Sequence, residues 1–107
     1  MNDIDQYLNF THQTAKYPGV GTTLEGMYLA LGLTGEAGEV AEKMKKLHRD
    51  GVLDKERTAK ELGDVFWYLV RLCNWLGYQP SEIIEMNTEK LAKRLLDGTI
   101  KGNGDDR

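Results

Sequence analysis

A chain of 107 residues has room for one domain, and 17 acidic against 14 basic side chains give a net charge of −3 that argues against a general nucleic-acid binder. Hydrophobic residues at 40% and charged residues at 29% describe a globular domain and exclude a disordered one. The lone cysteine, Cys73, rules out an internal disulfide.

Met1 to Gln6 is acidic and polar, unlike a secretory leader, and no apolar run reaches the length of a membrane span, so the expected location is cytoplasmic. The sequence then predicts four helices and no strand. The first covers about 4–16, with Ile4, Tyr7, Leu8 and Thr11 on one side, and is broken by Tyr17-Pro18-Gly19-Val20-Gly21. The second covers about 23–49, with Thr22 or Thr23 as its cap. Leu33, Ala37, Val40, Met44 and Leu47 make its apolar stripe in steps of four and three. Asp50-Gly51 closes it, and Asp54 caps a third helix over 55–76, striped by Leu62, Val65, Leu69, Leu72 and Leu76. Cys73 reads as core. After Gly77, Pro80 suits the first position of a fourth helix over 80–96, with Ile84, Leu91 and Leu95 facing its core. Residues 98–107 hold three glycines and no periodicity, and read as a flexible tail. The expected fold is all-α, a single four-helix-bundle-like domain.

The chemistry is concentrated on the two central helices. Glu36 and Glu39 are three apart, as are Glu61 and Asp64, so each helix offers two carboxylates to one direction at the margin of its stripe. If the stripes pack together, four carboxylates converge, and at an effective dielectric near 20 such neighbours repel by several kcal/mol. A hard cation such as magnesium, which takes carboxylate and phosphate oxygens, relieves that repulsion. The spacing alone is equally compatible with solvated helix positions. Gly35 and Gly38, beside Glu36, each cost about 1 kcal/mol relative to alanine in a helix interior and predict a close approach there, of a neighbouring helix or of a ligand. Tyr68 shares the face of Asp64 one turn on. A di-iron site of the ferritin type requires Glu-x-x-His, whereas His48 and His12 are preceded at that spacing by Lys45 and Asn9.

Gly35-Glu36-Ala37-Gly38-Glu39-Val40-Ala41-Glu42, followed by Lys60-Glu61-Leu62-Gly63-Asp64-Val65, resembles the MazG-like nucleotide pyrophosphohydrolases, whose signature is Glu-Glu-x-x-Glu on one helix and Glu-x-x-Asp on the next. The resemblance runs from about Tyr17 to the end. Asn87 to Arg94 is similar to the Asn-x-x-Lys-x-x-x-Arg stretch of small members, and Gly102 to Arg107 to a tail found in some of them. One position departs: the first Glu of the signature is Gly35 here.

The resemblance implies hydrolysis of a nucleoside triphosphate to monophosphate and pyrophosphate, with magnesium, or manganese in its place, on Glu36, Glu39, Glu61 and Asp64. It also implies a homodimer or homotetramer with sites between subunits. Leu29, Phe66 and Leu96 lie off the stripes and are expected under a partner. Asn87, Lys90 and Arg94 share a face of the fourth helix and suit phosphate oxygens, Arg as a fork and Lys as a point charge. Tyr68 and Trp67 are candidates to stack on a base, and His12 and Tyr17 weaker ones. Competing readings are a non-catalytic interaction module, which the Gly35 departure keeps open, and a related enzyme acting on another nucleotide such as phosphoribosyl-ATP.

Overall fold

The computed structural model describes residues 3–105. Met1, Asn2, Asp106 and Arg107, which belong to the polar first segment and to the tail motif, lie outside the described residues. Four helices and no strand are present among them: α1 (Ile4–Thr11), α2 (Glu25–Asp50), α3 (Lys55–Leu76) and α4 (Pro80–Asp97). No described helix is long and apolar enough to cross a membrane.

α1 ends earlier than its apolar pattern predicts. The Thr11 hydroxyl donates to the Leu8 carbonyl at 2.6 Å, and His12, Gln13 and Thr14 close tighter three-residue turns. α2 begins later than either threonine suggests. Thr22 donates its hydroxyl to the Gly19 carbonyl and accepts weakly from the Leu24 amide, which spends it on the preceding turn. The remaining boundaries follow the sequence. Gly51 and Gly77 adopt the left-handed conformation just past α2 and α3, which costs glycine little. The Asp54 carboxylate accepts from the Arg57 amide at 3.1 Å, and Glu82 reaches back to the Gln79 amide at 2.9 Å ahead of Pro80.

α2 and α3 form an antiparallel hairpin and share the broadest packing in the chain. Its register is set by two glycines. A Cβ on Gly26 would stand 2.5 Å from the Trp75 ring, and one on Gly32 2.1 Å from the Tyr68 ring. Gly35 and Gly38, where the close approach was expected, have no such neighbour. α1 lies across α3 and α4, and its Asp5 carboxylate accepts from the Ser81 amide at 2.9 Å in the first turn of α4. α4 packs on α3 and α1 without approaching α2.

The apolar core is correspondingly small: Leu8, Tyr17, Leu29, Val70 and Cys73. Leu29 is fully buried inside the chain, against the expectation that a partner covers it, whereas Phe66 and Leu96 are exposed. Ile84, Leu91 and Leu95, read as core, are exposed too. The radius of gyration, 16.6 Å, exceeds the roughly 13 Å of a closed domain of this length.

Beside the apolar core sits a buried polar one. Glu25 accepts from the Tyr17 hydroxyl and from the Gly21 amide, and pairs with Arg71 at 3.8 Å. Arg71 donates to the Thr11 hydroxyl at 3.3 Å and to His12 Nδ1 at 2.8 Å. A guanidinium only donates, so Nδ1 is the acceptor. This cluster fastens residues 12–25 to α3, as a buried charge demands of its neighbours.

Candidate functional site

Antiparallel packing in the Gly32–Tyr68 register brings the middle of α2 opposite the middle of α3. Glu36, one turn beyond Gly32, therefore faces Glu61 and Asp64. Each of these three side chains offers a carboxylate oxygen within 4.8 Å of the other two; Glu36 and Glu61 are half-buried and Asp64 is exposed. Burial, a hydrogen bond with Glu61 and the charges of Asp64, Glu61 and Glu39 hold the Glu36 carboxyl above the ordinary range for glutamate. Burial is the larger cause, and the neighbouring acids add to it in the same direction.

The donor set fits a hard cation. Ligands on opposite sides of a magnesium ion stand about 4.2 Å apart, twice its usual bond length, so three oxygens already within 4.8 Å need only small side-chain shifts to share one ion. Glu39, the fourth predicted ligand, is exposed and lies outside this trio; its charge is the weakest of the influences on Glu36. Glu42, a turn further on, pairs with Lys45 at 3.4 Å.

Glu36, Asp64, Trp67 and Tyr68 line a cleft of about 280 Å³. Trp67 and Tyr68 thus share the cleft of two of the acids. Their rings meet edge to face at 5.1 Å, and the Trp67 indole donates to the Thr14 hydroxyl at 2.7 Å. Tyr17 stands behind this wall, edge-on to Trp67 at 5.8 Å and stacked on Tyr28 at 4.8 Å. Tyr28 in turn reaches Tyr68 at 6.4 Å. His12 turns instead to Arg71.

Sequence reasoning passed over Tyr28 and Tyr7. Tyr28 lies one turn before Gly32, the glycine that admits the Tyr68 ring, and this spacing was its available signal. Tyr7, on α1, has its hydroxyl pKa raised by burial and by the charge of Asp64.

The basic residues are placed elsewhere. Asn87 and Lys90 line a separate cleft of about 270 Å³ with Ile83 and Met86. Arg94 is buried beneath the segment that follows α4, which turns back along the helix and puts Asp105 beside both cations. The cleft of Glu36 and Asp64 and the cleft of Asn87 and Lys90 have no lining residue in common.

Residues 25–97, spanning α2 to α4, match the model of the MazG nucleotide pyrophosphohydrolase domain. Over 112 aligned positions, covering 97% of this chain and 98% of the other, the chain is 43% identical to the gene 37 protein of Mycobacterium phage L5. No solved structure gives a significant match. The helices that carry the gathered carboxylates are thus the ones the family model covers, and the chain belongs to the MazG nucleotide pyrophosphohydrolase family.

Proposed function

We propose that the protein hydrolyses a nucleoside or deoxynucleoside triphosphate between its α and β phosphates, releasing monophosphate and pyrophosphate. The observation that carries this reading is the convergence of Glu36, Glu61 and Asp64, two of which, Glu36 and Asp64, line a cleft with Trp67 and Tyr68. The three carboxylates, with Glu39 nearby, would hold magnesium, or manganese in its place. When bound, such an ion neutralises phosphate oxygens and acidifies water. The chain's own part is positioning, which dominates phosphoryl-type transfer. Helix-borne carboxylates fix where the phosphates sit, and Trp67 and Tyr68, set edge to face, offer aromatic surface to the base.

Asn87, Lys90 and Arg94 are assigned to the distal phosphates. The cleft of Asn87 and Lys90 is distinct from the one that Glu36 and Asp64 line, and this separation supports a site completed by a second copy, in a dimer or a dimer of dimers. The exposed apolar face of α4 gives that copy a surface to cover.

Incubation with a panel of nucleotides and magnesium, reading both phosphorus products, tests the proposal. Monophosphate and pyrophosphate are expected. Diphosphate with single phosphate as primary products refutes the position of cleavage. Inactivity on the whole panel favours a non-catalytic module, for which Gly35 in place of a carboxylate is the supporting feature. Turnover of phosphoribosyl-ATP alone reassigns the substrate.

A further inference from the structure

We propose that Asp105 is a displaceable internal anion, occupying the Lys90–Arg94 site and leaving when a substrate phosphate enters. The proposal rests on the reading above that these two cations receive phosphate.

Asp105 Oδ1 accepts from Lys90 Nζ at 3.1 Å and from Arg94 Nη2 at 3.2 Å. The same Nη2 also donates to the main-chain oxygens of Asp105, at 2.9 Å, and of Gly104, at 3.4 Å. All the bonds found for the guanidinium therefore fall on one nitrogen. Its Nε is buried and has no hydrogen-bond partner among the described residues. A guanidinium fork matches the paired oxygens of a phosphate, and a single carboxylate oxygen shared with a lysine leaves that capacity unused.

The two sides of this contact are unequally committed. The Arg94 side chain is only 6% exposed, whereas that of Asp105 is 81% exposed. Arg94 is held in buried surroundings, Lys90 is only half-buried, and the anion is held from the solvent side, where ion pairs are weak and screened by salt. Lys90 also borders the cleft of Asn87, Ile83 and Met86, which leaves a route to its ammonium beside Asp105. A phosphate chain brings more charge and more acceptor oxygens than one carboxylate, so it displaces Asp105 at modest concentration. Until it does, the intramolecular anion lowers the apparent affinity by the fraction of time it holds the site. An exposed pair of this kind competes by a factor of about 2–5.

The test compares the wild-type chain with Asp105→Asn and Lys90→Ala. Asparagine keeps the main-chain contacts and removes the charge. Inorganic pyrophosphate is titrated calorimetrically in EDTA, where no cation draws it to the acidic cleft. The expected result is two- to fivefold tighter binding in D105N and weaker binding in K90A. With magnesium and the preferred triphosphate, KM of D105N should fall by a similar factor while kcat stays within twofold. If K90A weakens binding and D105N matches wild type, the phosphate reading stands and the role of Asp105 is overturned. If D105N melts lower at unchanged affinity, the segment is only a clip on α4, which also overturns the proposal. If neither variant changes pyrophosphate affinity, Lys90 and Arg94 do not receive phosphate, and both readings fall.

Discussion

Neutralising Glu36 should separate what the acidic cleft does for function from what it costs the fold. Glu36→Gln keeps the length of the side chain and replaces an acceptor-only carboxylate by an amide that can donate to Glu61 or Asp64. Two charges 4.8 Å apart, the widest separation within the trio, repel by about 3.5 kcal/mol at an effective dielectric of 20. Asp64 is exposed and the other two are half-buried, so water screens most of this. A net gain of about 1 kcal/mol in the absence of metal is the expected remainder. In a domain of this size that is a rise in Tm of roughly 4–8 °C. Activity should collapse, because an amide is a poor ligand for a hard cation.

Magnesium should reverse the order of the two proteins. At a concentration 100 times its Kd, a ligand specific to the native state adds about 2.7 kcal/mol, and the wild type should collect this while E36Q gains much less. The pH dependence has a definite sign. Glu36 has a raised pKa in the fold, chiefly from burial and then from its acidic neighbours, so the native state binds its proton more tightly than the unfolded chain does. Metal-free wild type is therefore favoured on the acid side and loses that contribution as pH rises through the folded pKa; E36Q should lack this loss. Thermal melts in EDTA and in magnesium, beside a pyrophosphate assay, give all three readings. If E36Q melts like wild type in EDTA, gains equally from magnesium and keeps its activity, the three carboxylates do not act together.

Gly32→Ala should destabilise by about 1–3 kcal/mol and lower activity, because its Cβ enters the Tyr68 ring, whereas Gly35→Ala, in open space on the same helix, should stabilise by about 0.5–1 kcal/mol. Thermal melts of the pair distinguish a register-setting glycine from a merely tolerated one. Arg71→Leu strands the buried Glu25 and should cost about 3–5 kcal/mol in urea denaturation, most of it recovered by adding Glu25→Leu. Sedimentation should give two or four times the 12.1 kDa chain mass, and a monomer at micromolar concentration counts against a shared site.

Periodicity made the four helices legible, since it depends on the spacing of apolar residues within one segment. The boundaries that moved, at Thr11 and Glu25, did so because threonine hydroxyls bonded to nearby carbonyls and turned the backbone. Three of the four predicted carboxylates converge, since the i, i+3 pair Glu61 and Asp64 shares a face of α3 that the antiparallel packing turns to Glu36, whereas Glu39 stays outside. Which glycines mark the close approach was not legible. Gly26 and Gly32 owe that role to Trp75 and Tyr68, more than 30 positions away, and the local sequence around Gly35 and Gly38 looks no different. Glu25 and Arg71 were missed for the same reason, since nothing local couples residues 46 apart. The stripe of α4 shows a further limit: periodicity identifies an apolar face, and Ile84, Leu91 and Leu95 have one without a covering element in their own chain.

These observations divide the chain into a rigid part and a part that awaits company. The α2–α3 hairpin has tight glycine–aromatic contacts, and the Glu25–Arg71 cluster anchors one end of it, so carboxylates mounted on it are held by helices rather than loops. That stiffness is needed to keep like charges close when no cation is present, since a looser pair of helices would relax them apart. α4 is attached through α1 and α3 alone, carries most of its apolar side chains in the open, and has its cations engaged by the chain's own Asp105. A second copy that covers α4 would change burial and electrostatics there while leaving the hairpin as it is. Assembly and substrate entry would then act on the same helix.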